Sequence, residues 1–381
     1  MKRILLILML LIGTVAGVYA QGADSTLTEL AEQPPVSEEK KIDPKAIIFE
    51  HLADAYGWEV PFCHHLRIPL PVIVRDYQGH WHMFSSARIQ HGEEFDGFRL
   101  GAGDSKWHNK VVGQRPVTVD GLTVMEEYRP LDISITKNVL ALFITVAIVL
   151  LMVLRVAAWY KRQQYKAPRR FSGAVEDLIE FVYQGVVRPT LGDRAMRFAP
   201  YLMTVFFFIL VMNLMGLVVI FPGGANLTGN IAVTLVLSLI TFAITNLFGT
   251  KHYWKEIFWP DVPIWLKFPI PIMPAIELFG VFTKPAALTI RLFANMLGGH
   301  IVVIVLTLLI FILGAFGAAV TGLTTVVSLC FSIFMLLIDV LVSFIQAYVF
   351  TMLSTLFIAL STENGGHEPH KKATAADGTS K

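Results

Sequence analysis

The sequence is short of charge. Asp, Glu, Lys and Arg make up 16% of its 381 residues. None of the four occurs between Arg197 and Lys251, or from Leu292 to Ile338. Uncharged apolar runs longer than about 18 residues are what a membrane-crossing helix needs, so an ordinary soluble protein is excluded. A hydrophobic content of 54% and a mean hydropathy of +0.59 agree. Cysteine is scarce too: Cys63 stands alone in the polar N-terminal part and Cys330 lies in an apolar run, which argues against an internal disulfide. A phosphate-cradling GxxxxGK[ST] loop is lacking, so no nucleotide chemistry is expected of this chain. The net charge of +2 says little, because the signs are segregated along the chain, and no nucleic-acid partner is assigned.

The polar exception comes first. Met1 to Ala20 has Lys2 and Arg3, then the apolar Ile4 to Ile12, then small residues ending Val18-Tyr19-Ala20, which is the pattern of a secretory signal. It is either cleaved after Ala20 or retained as an anchor, and in both cases the chain beyond Ala20 is exported. Residues 21–45, with six acids, three lysines and Pro34-Pro35, are expected to be a flexible linker. Residues 46–131 are expected to form a small mixed α/β extracytoplasmic domain. It would have a short helix over Ile47 to Tyr56 and strands over Leu66 to Val74 and His80 to Ile89, around the turn-prone Asp76-Tyr77-Gln78-Gly79. Further strand is expected over Arg115 to Met125. Seven of the eleven histidines lie here: His51, His64, His65, His80, His82, His91 and His108. His80 and His82 would share a strand face and His64 and His65 are adjacent, but the spacings match no closed zinc pattern. Neither a metal nor a cofactor is therefore assigned.

Ile133 to Leu154 reads as a membrane helix. Six basic residues, Arg155, Lys161, Arg162, Lys166, Arg169 and Arg170, precede the next acid, Glu176, so the positive-inside rule puts this loop in the cytoplasm. Asp177 to Val187 has an apolar side and an acidic side and is expected to lie along the cytoplasmic surface. The charge-free stretch after Arg197 holds two crossings, Phe198 to Phe221 and Ile231 to Phe248, joined at Pro222-Gly223-Gly224. Asn213 and Asn230 are its polar points and are expected to serve helix packing. Lys251, His252, Lys255 and Lys267 restore positive charge on the cytoplasmic side. Two further segments, Pro271 to Phe316 and Leu323 to Ser361, exceed the roughly twenty residues of a perpendicular span and must tilt, kink or lie partly along the membrane. Glu363 to Lys381 is expected to be a disordered cytoplasmic tail. The fold class is a polytopic all-α membrane protein over residues 132–362, carrying the small exported domain.

The first of these two segments contains an anomaly, Arg291. An arginine at mid-membrane costs about 2.5 to 3.5 kcal/mol on insertion scales, so it normally faces a partner, a water-filled cavity or an ion path. The alternative is an arginine snorkelling to the headgroups. Glu277, Lys284 and Arg291 are seven apart and keep within about 40° of one another on a helix, and Asn295 extends their stripe. Gly298 and Gly299 thin the helix, and His300 points away from the arginine. The last segment carries Asp339 and Gln346, again seven apart, with Ser343 between them. His300 and Asp339 are candidates for a proton relay across two antiparallel helices, or for a structural polar clamp.

These residues resemble one family, subunit a of F-type ATP synthases, over Phe171 to Thr362. The resemblance rests on Glu277, Lys284-Pro285, Arg291-Leu292-Phe293-Ala294-Asn295-Met296 and Gln346-Ala347-Tyr348-Val349-Phe350, with Met212-Asn213-Leu214-Met215-Gly216 in an earlier helix. It implies a non-catalytic stator subunit in a bacterial inner membrane. The implied partners are a ring of c subunits, the subunit b peripheral stalk, other ATP synthase subunits and lipid. It also implies that Arg291 is the essential rotor-facing arginine and Gln346 its polar companion, and that the last two helices form a tilted hairpin curving around the ring. Glu277, Asn295, His300 and Asp339 would line two proton half-channels, with Lys284, Asn213 and Asn230 as secondary polar positions. Two departures stand out. Many bacterial members have an acid at the position of His300 and a histidine at that of Asp339, so the types are exchanged here, and Asn230 stands where an aspartate is often found. A secondary ion-coupled transporter would also carry midplane charges, but no pair of repeated halves is evident. A receptor anchored by helices would account for the exported domain and leave Arg291, His300 and Asp339 unexplained.

Overall fold

The computed structural model describes residues 54–59, 67–89, 93–101, 105, 107, 109–119, 122–162, 171–218, 226–258, 272–314 and 318–363. The expected signal, linker and tail lie outside these residues, as do Cys63, His51, His64, His65, His91 and His108.

Alternation builds the first part. In Pro71-Val72-Ile73-Val74-Arg75, Val72 and Val74 are fully buried while their neighbours are not, as a half-buried strand requires. The described residues form eight short strands: β1 (Gly57–Glu59), β2 (Arg67–Pro69), β3 (Pro71–Arg75), β4 (Trp81–Ser85), β5 (Phe98–Leu100), β6 (Val111–Val119), β7 (Leu122–Tyr128) and β8 (Leu131–Asp132). They pair antiparallel in the orders β1-β2, β4-β3-β8 and β5-β6-β7. Tyr56, Val72, Val74, Phe84, Ile89, Phe98 and Val111 form their core.

The described residues before Lys137 contain no α-helix and show β structure with one 3-10 turn, Ser86–Arg88. The expected helix falls mostly outside the described residues, and its last three, Asp54 to Tyr56, are not helical. The strand expected over Leu66 to Val74 is broken at Leu70. Pro69 and Pro71 flank that residue and have no N–H to give a ladder, and the Leu70 N–H turns instead to Ser86 Oγ at 3.0 Å. Pro116 is tolerated inside β6 because β5 pairs only with Val111 to Gly113, leaving that edge open.

The sheet domain is joined to the first membrane helix, α1 (Lys137–Arg162), by more than the chain. The first N–H groups of a helix lack partners within it. Here Lys137 N donates to Ala55 O at 2.9 Å and Asn138 N to Asp54 Oδ1 at 3.2 Å. Trp58, 2% exposed, packs with Ala141 of α1 and with Met212 and Leu227.

Beyond α1 come α2 (Phe171–Val182), a π turn (Tyr183–Val187), short turns, and α3 (Ala195–Leu217). The remaining helices are α4 (Ile231–Leu247), α5 (Lys251–Phe258), α6 (Ile272–Gly314) and α7 (Ala318–Thr362). Asn230 is the N-cap of α4, its side chain accepting from Ala232 N at 3.0 Å, which gives this polar residue a structural task. Among the described residues, four helical runs are long and apolar enough to cross a membrane: Lys137–Arg162, Phe171–Leu217, Met273–Ile310 and Val320–Thr362. The pair α4 and α5, bent by 103°, makes a fifth if taken together. The core is centred on α3, whose Phe198, Leu202, Val205, Phe206 and Ile209 are buried against α7 residues such as Ala347, Phe350 and Ile358. At 43 and 45 residues, α6 and α7 are each about 65 Å long, roughly twice the hydrocarbon thickness of a bilayer. Pro285 sits inside α6 without ending it.

Candidate functional site

The α6–α7 hairpin places the polar residues in two groups, with Arg291 between them. On one side, Glu277 and Lys284 line a cavity of about 480 Å³ together with His252, Tyr253, Glu256, Leu360 and Glu363. Lys284 is half-buried, its Nζ 5.5 Å from the centre of the Phe357 ring and within electrostatic range of Glu277. Next to it a small space of about 10 Å³, enough for one water, is walled by Ser238, Thr241, Thr245, Asn246, Tyr253 and Pro285 among others. Pro285 has no N–H to give back along its helix. The turn is stitched by Thr289 Oγ1 donating to Pro285 O at 2.9 Å, and by a 2.5 Å bond between the Ser238 and Thr289 hydroxyls.

On the other side, Asn213, Asn295, Asp339, Ser343 and Gln346 share a second space of about 10 Å³ with Leu292, Met296 and Val342. Asn295 Nδ2 lies 3.5 Å from Gln346 Oε1, the long end of hydrogen bonding. Asn213 Oδ1 and Gln346 Nε2 are buried without a partner. Both residues are more than nine-tenths buried, and a buried polar atom left without a bond costs about 1–3 kcal/mol. A water in this space would satisfy both. Ser343 does not reach a neighbouring helix; its hydroxyl donates to Asp339 O at 2.7 Å.

Among the described residues no hydrogen bond or ion pair joins His300 to Asp339. The Asp339 carboxylate rests over Gly299, where an added Cβ would meet Oδ1 at 2.7 Å, and His300 Nε2 is buried without a partner. Lys137, the first residue of α1, is within electrostatic range of His300, which sets His300 at the end of the bundle where the sheet domain sits.

Arg291 itself is exposed, and among the described residues it makes no hydrogen bond or ion pair. Ala287, Ala294, Asn295 and Gly298, at helical spacing around it, are exposed as well. A stripe of small side chains at this spacing allows another helix to approach closely. Lys284 lies about 10 Å before Arg291 along the helix and Asn295 about 6 Å after it, so the two polar cavities flank the guanidinium. Sequence reasoning passes over Tyr253, Glu256 and the hydroxyl face of α4. A signal for the last is present, because Thr234, Ser238, Thr241 and Thr245 recur at three- and four-residue spacing and all are buried.

In the sheet domain the charged groups form a different pattern. His82 contacts Asp96 through Nδ1 and Asp76 through Nε2, at 3.4 Å, while His80 Nδ1 lies 3.5 Å from Asp76. The bond to Asp96, with help from Asp76, raises the His82 imidazole above its ordinary value. For Asp76, desolvation pushes upward but is outweighed by the His80 N–H and the His82 ring, and its carboxyl ends below the usual range.

Residues 139–359 match the family model of the ATP synthase A chain. Residues 47–133 match a Domain of unknown function (DUF8433). The chain is 41% identical over 296 residues to ATP synthase subunit a of Pelodictyon phaeoclathratiforme, covering 75% of this chain and 82% of that protein. It is 44% identical over 263 residues to ATP synthase subunit a 2 of Chlorobaculum tepidum, at 65% and 70% coverage. To ATP synthase subunit a of Myxococcus xanthus it is 42% identical over 245 residues, at 62% and 76%. An unpaired arginine between two polar cavities on a pair of overlong helices is thus met in a chain that belongs to the ATP synthase subunit a family.

Proposed function

We propose that this protein couples ion flow across the membrane to rotation of a c-subunit ring, through two half-channels that open on either side of Arg291. The observation that carries this reading is the exposed guanidinium, without a partner among the described residues, between two separate polar cavities. Asp339, His300, Asn295, Gln346 and Asn213 would line the extracytoplasmic path. Glu277 and Lys284, with His252 and Glu256, would line the cytoplasmic one.

The chemistry starts from desolvation. A rotor carboxyl facing lipid is held protonated, because an ionised group there is costly. Next to Arg291 the carboxylate form is favoured, so the O–H bond breaks and the proton passes to water in one cavity. The carboxylate pairs with the guanidinium until rotation carries it to the other cavity, where it takes up a proton and can re-enter lipid. Arginine suits this task because it keeps its own proton. The same fixed charge repels a proton moving directly between the cavities. Each charge crossing supplies about 2.3 kcal/mol per 100 mV, so several must cross for each ATP. The catalytic nucleotide sites would lie on other subunits, with a peripheral stalk holding this chain still in the bacterial inner membrane, its N-terminal domain outside and its C-terminus in the cytoplasm.

The test is ATP-driven acidification and ATP synthesis in vesicles carrying Arg291→Ala, with assembly of the complex checked in parallel. Loss of both by a factor of about 100 or more in an assembled complex is expected, since one fully desolvated charge contact is worth several kcal/mol. Normal coupled pumping would sink the mechanism and return Arg291 to the headgroups.

A further inference from the structure

An antiparallel sheet with one packed face ordinarily turns a polar face to water. The β4-β3-β8 sheet does not. Its inner face sends Val72, Val74 and Phe84 into the core. The outer face carries two cross-strand rows. Arg75 pairs with Trp81 on one side and Leu131 on the other, and Ile73 pairs with Met83 while its carbonyl accepts from Ile133 N at 3.0 Å. Trp81 is 55% exposed, Met83 74%, Leu131 57% and Ile133 58%. Ile135 continues the same alternation, its N–H donating to Pro71 O at 3.2 Å. The Arg75 guanidinium lies 5.7 Å from the Trp81 ring centre. An apolar patch of this kind, with a cation at its edge, marks a docking surface.

The position of this face identifies what covers it. Between Lys137 and Arg155 lie only uncharged residues, Asn138 to Leu154. They make about 26 Å of helix, a little less than the roughly 30 Å hydrocarbon layer, so Lys137 marks its outer boundary. Ile133 is four residues earlier in extended chain and stands no more than about 13 Å from that boundary. Exposed apolar side chains also stand on both sides of this boundary, Leu131 and Ile133 before it and Val139, Phe143 and Val146 on α1 after it.

We infer that the outer face of the β4-β3-β8 sheet lies against the outer leaflet of the bilayer, with Trp81 and Met83 at the boundary between headgroups and acyl chains and Arg75 among the phosphates. Tryptophan and arginine are the side chains suited to that layer, one for its amphipathic ring and the other for its charge. The domain is then held at two points: by lipid under this sheet, and by Trp58 on the membrane helices. This inference rests on the proposed placement of the N-terminal domain outside a membrane-embedded protein, and does not depend on the rotary reading.

The test uses the assembled complex in lipid nanodiscs, with Cys63 and Cys330 changed to Ser and one new cysteine labelled with an environment-sensitive fluorophore. Met83→Cys and Leu131→Cys report on the face. Glu94→Cys, at an exposed acid, is the control. ATP-driven pumping by each labelled complex checks that it is intact. Lipid carrying a nitroxide near the headgroup is expected to quench both face labels about twofold or more and to leave the control unchanged, while aqueous iodide does the reverse. Iodide quenching of the face labels equal to that of the control would overturn the inference in favour of a water-facing sheet. Protection from both quenchers would overturn it in favour of a protein partner.

Discussion

In the sheet domain Arg99 reaches Glu127, Arg115 bonds Glu126 at 2.7 Å, and His82 is held between Asp76 and Asp96. On α6 and α7, Arg291 and the Asp339 carboxylate have no such partner among the described residues, and His300 Nε2 and Gln346 Nε2 are buried without one. The two regions invert what solvation alone would favour. Where water is close, an ion pair is worth about 0–1 kcal/mol and leaving it unmade costs little. Where water is scarce an unpaired group is expensive, yet that is where they accumulate. Pairing in the domain serves structure. The unpaired groups in the hairpin are suited to a partner that comes and goes.

Changes that separate the two regions test this contrast. The largest structural effect is expected from Trp58→Ala, which empties a buried site between domain and helices and should cost about 3–5 kcal/mol. Proteolysis and thermal unfolding of the purified complex would detect it as early release of the sheet domain. Intact pumping below that transition would show the two regions to be separable. Next comes Gly299→Ala, whose new methyl would press on the Asp339 carboxylate, against Gly322→Ala near the start of α7, which meets nothing within 4 Å. The first should lower proton pumping severalfold with little change in melting, and the second should do neither; equal rates in both would mean that the placement of Asp339 does not matter.

A smaller effect is expected from pH. With its imidazole raised by Asp96, His82 contributes stability that is fully present below its unfolded value of about 6.5 and is lost as pH rises through the raised folded value. Protection from hydrogen exchange in β4 and in the turn at Asp96, taken relative to the intrinsic rate at each pH, should therefore fall as pH rises above about 6.5, and His82→Gln should flatten that dependence. A slope unchanged in the variant would assign it elsewhere. Smallest of all, Arg115→Ala at an exposed pair should cost less than about 1 kcal/mol in a thermal melt. A loss well above that would blur the contrast between the regions.

The membrane helices are legible in the sequence because absence of charge over a fixed length leaves few alternatives. Hydropathy alone starts α1 four residues early, since Ile133 and Ile135 are as apolar as a helix but extend β8 along β3. The excess length of α6 and α7 is also legible. Within the site, the seven-residue spacings put Arg291, Lys284 and Glu277 on one stripe in sequence terms, but how far α7 slides along α6 has no local signal. That slide decides that Asp339 lies over Gly299 and that Asn295 approaches Gln346. The sheet domain is the least legible part. Its breaks depend on hydrogen bonds between distant residues, such as Leu70 with Ser86. Asn230 shows the same limit inside the membrane region: its apolar surroundings suggest packing, and only the backbone geometry reveals that it caps a helix.

One set of bonds at the far end of the hairpin bears on mechanics. The Arg194 guanidinium holds the Thr362 carbonyl, and Thr250 N donates to Ser361 O at 2.9 Å, so the last turn of α7 is tied both to the approach to α3 and to the bend between α4 and α5. A rod about 65 Å long fastened in this way behaves as a cantilever. Under the proposed function, sideways load from a turning ring would be transmitted along α7 to its root, and the stiffness of these few bonds would bear on how much of each step is lost to bending.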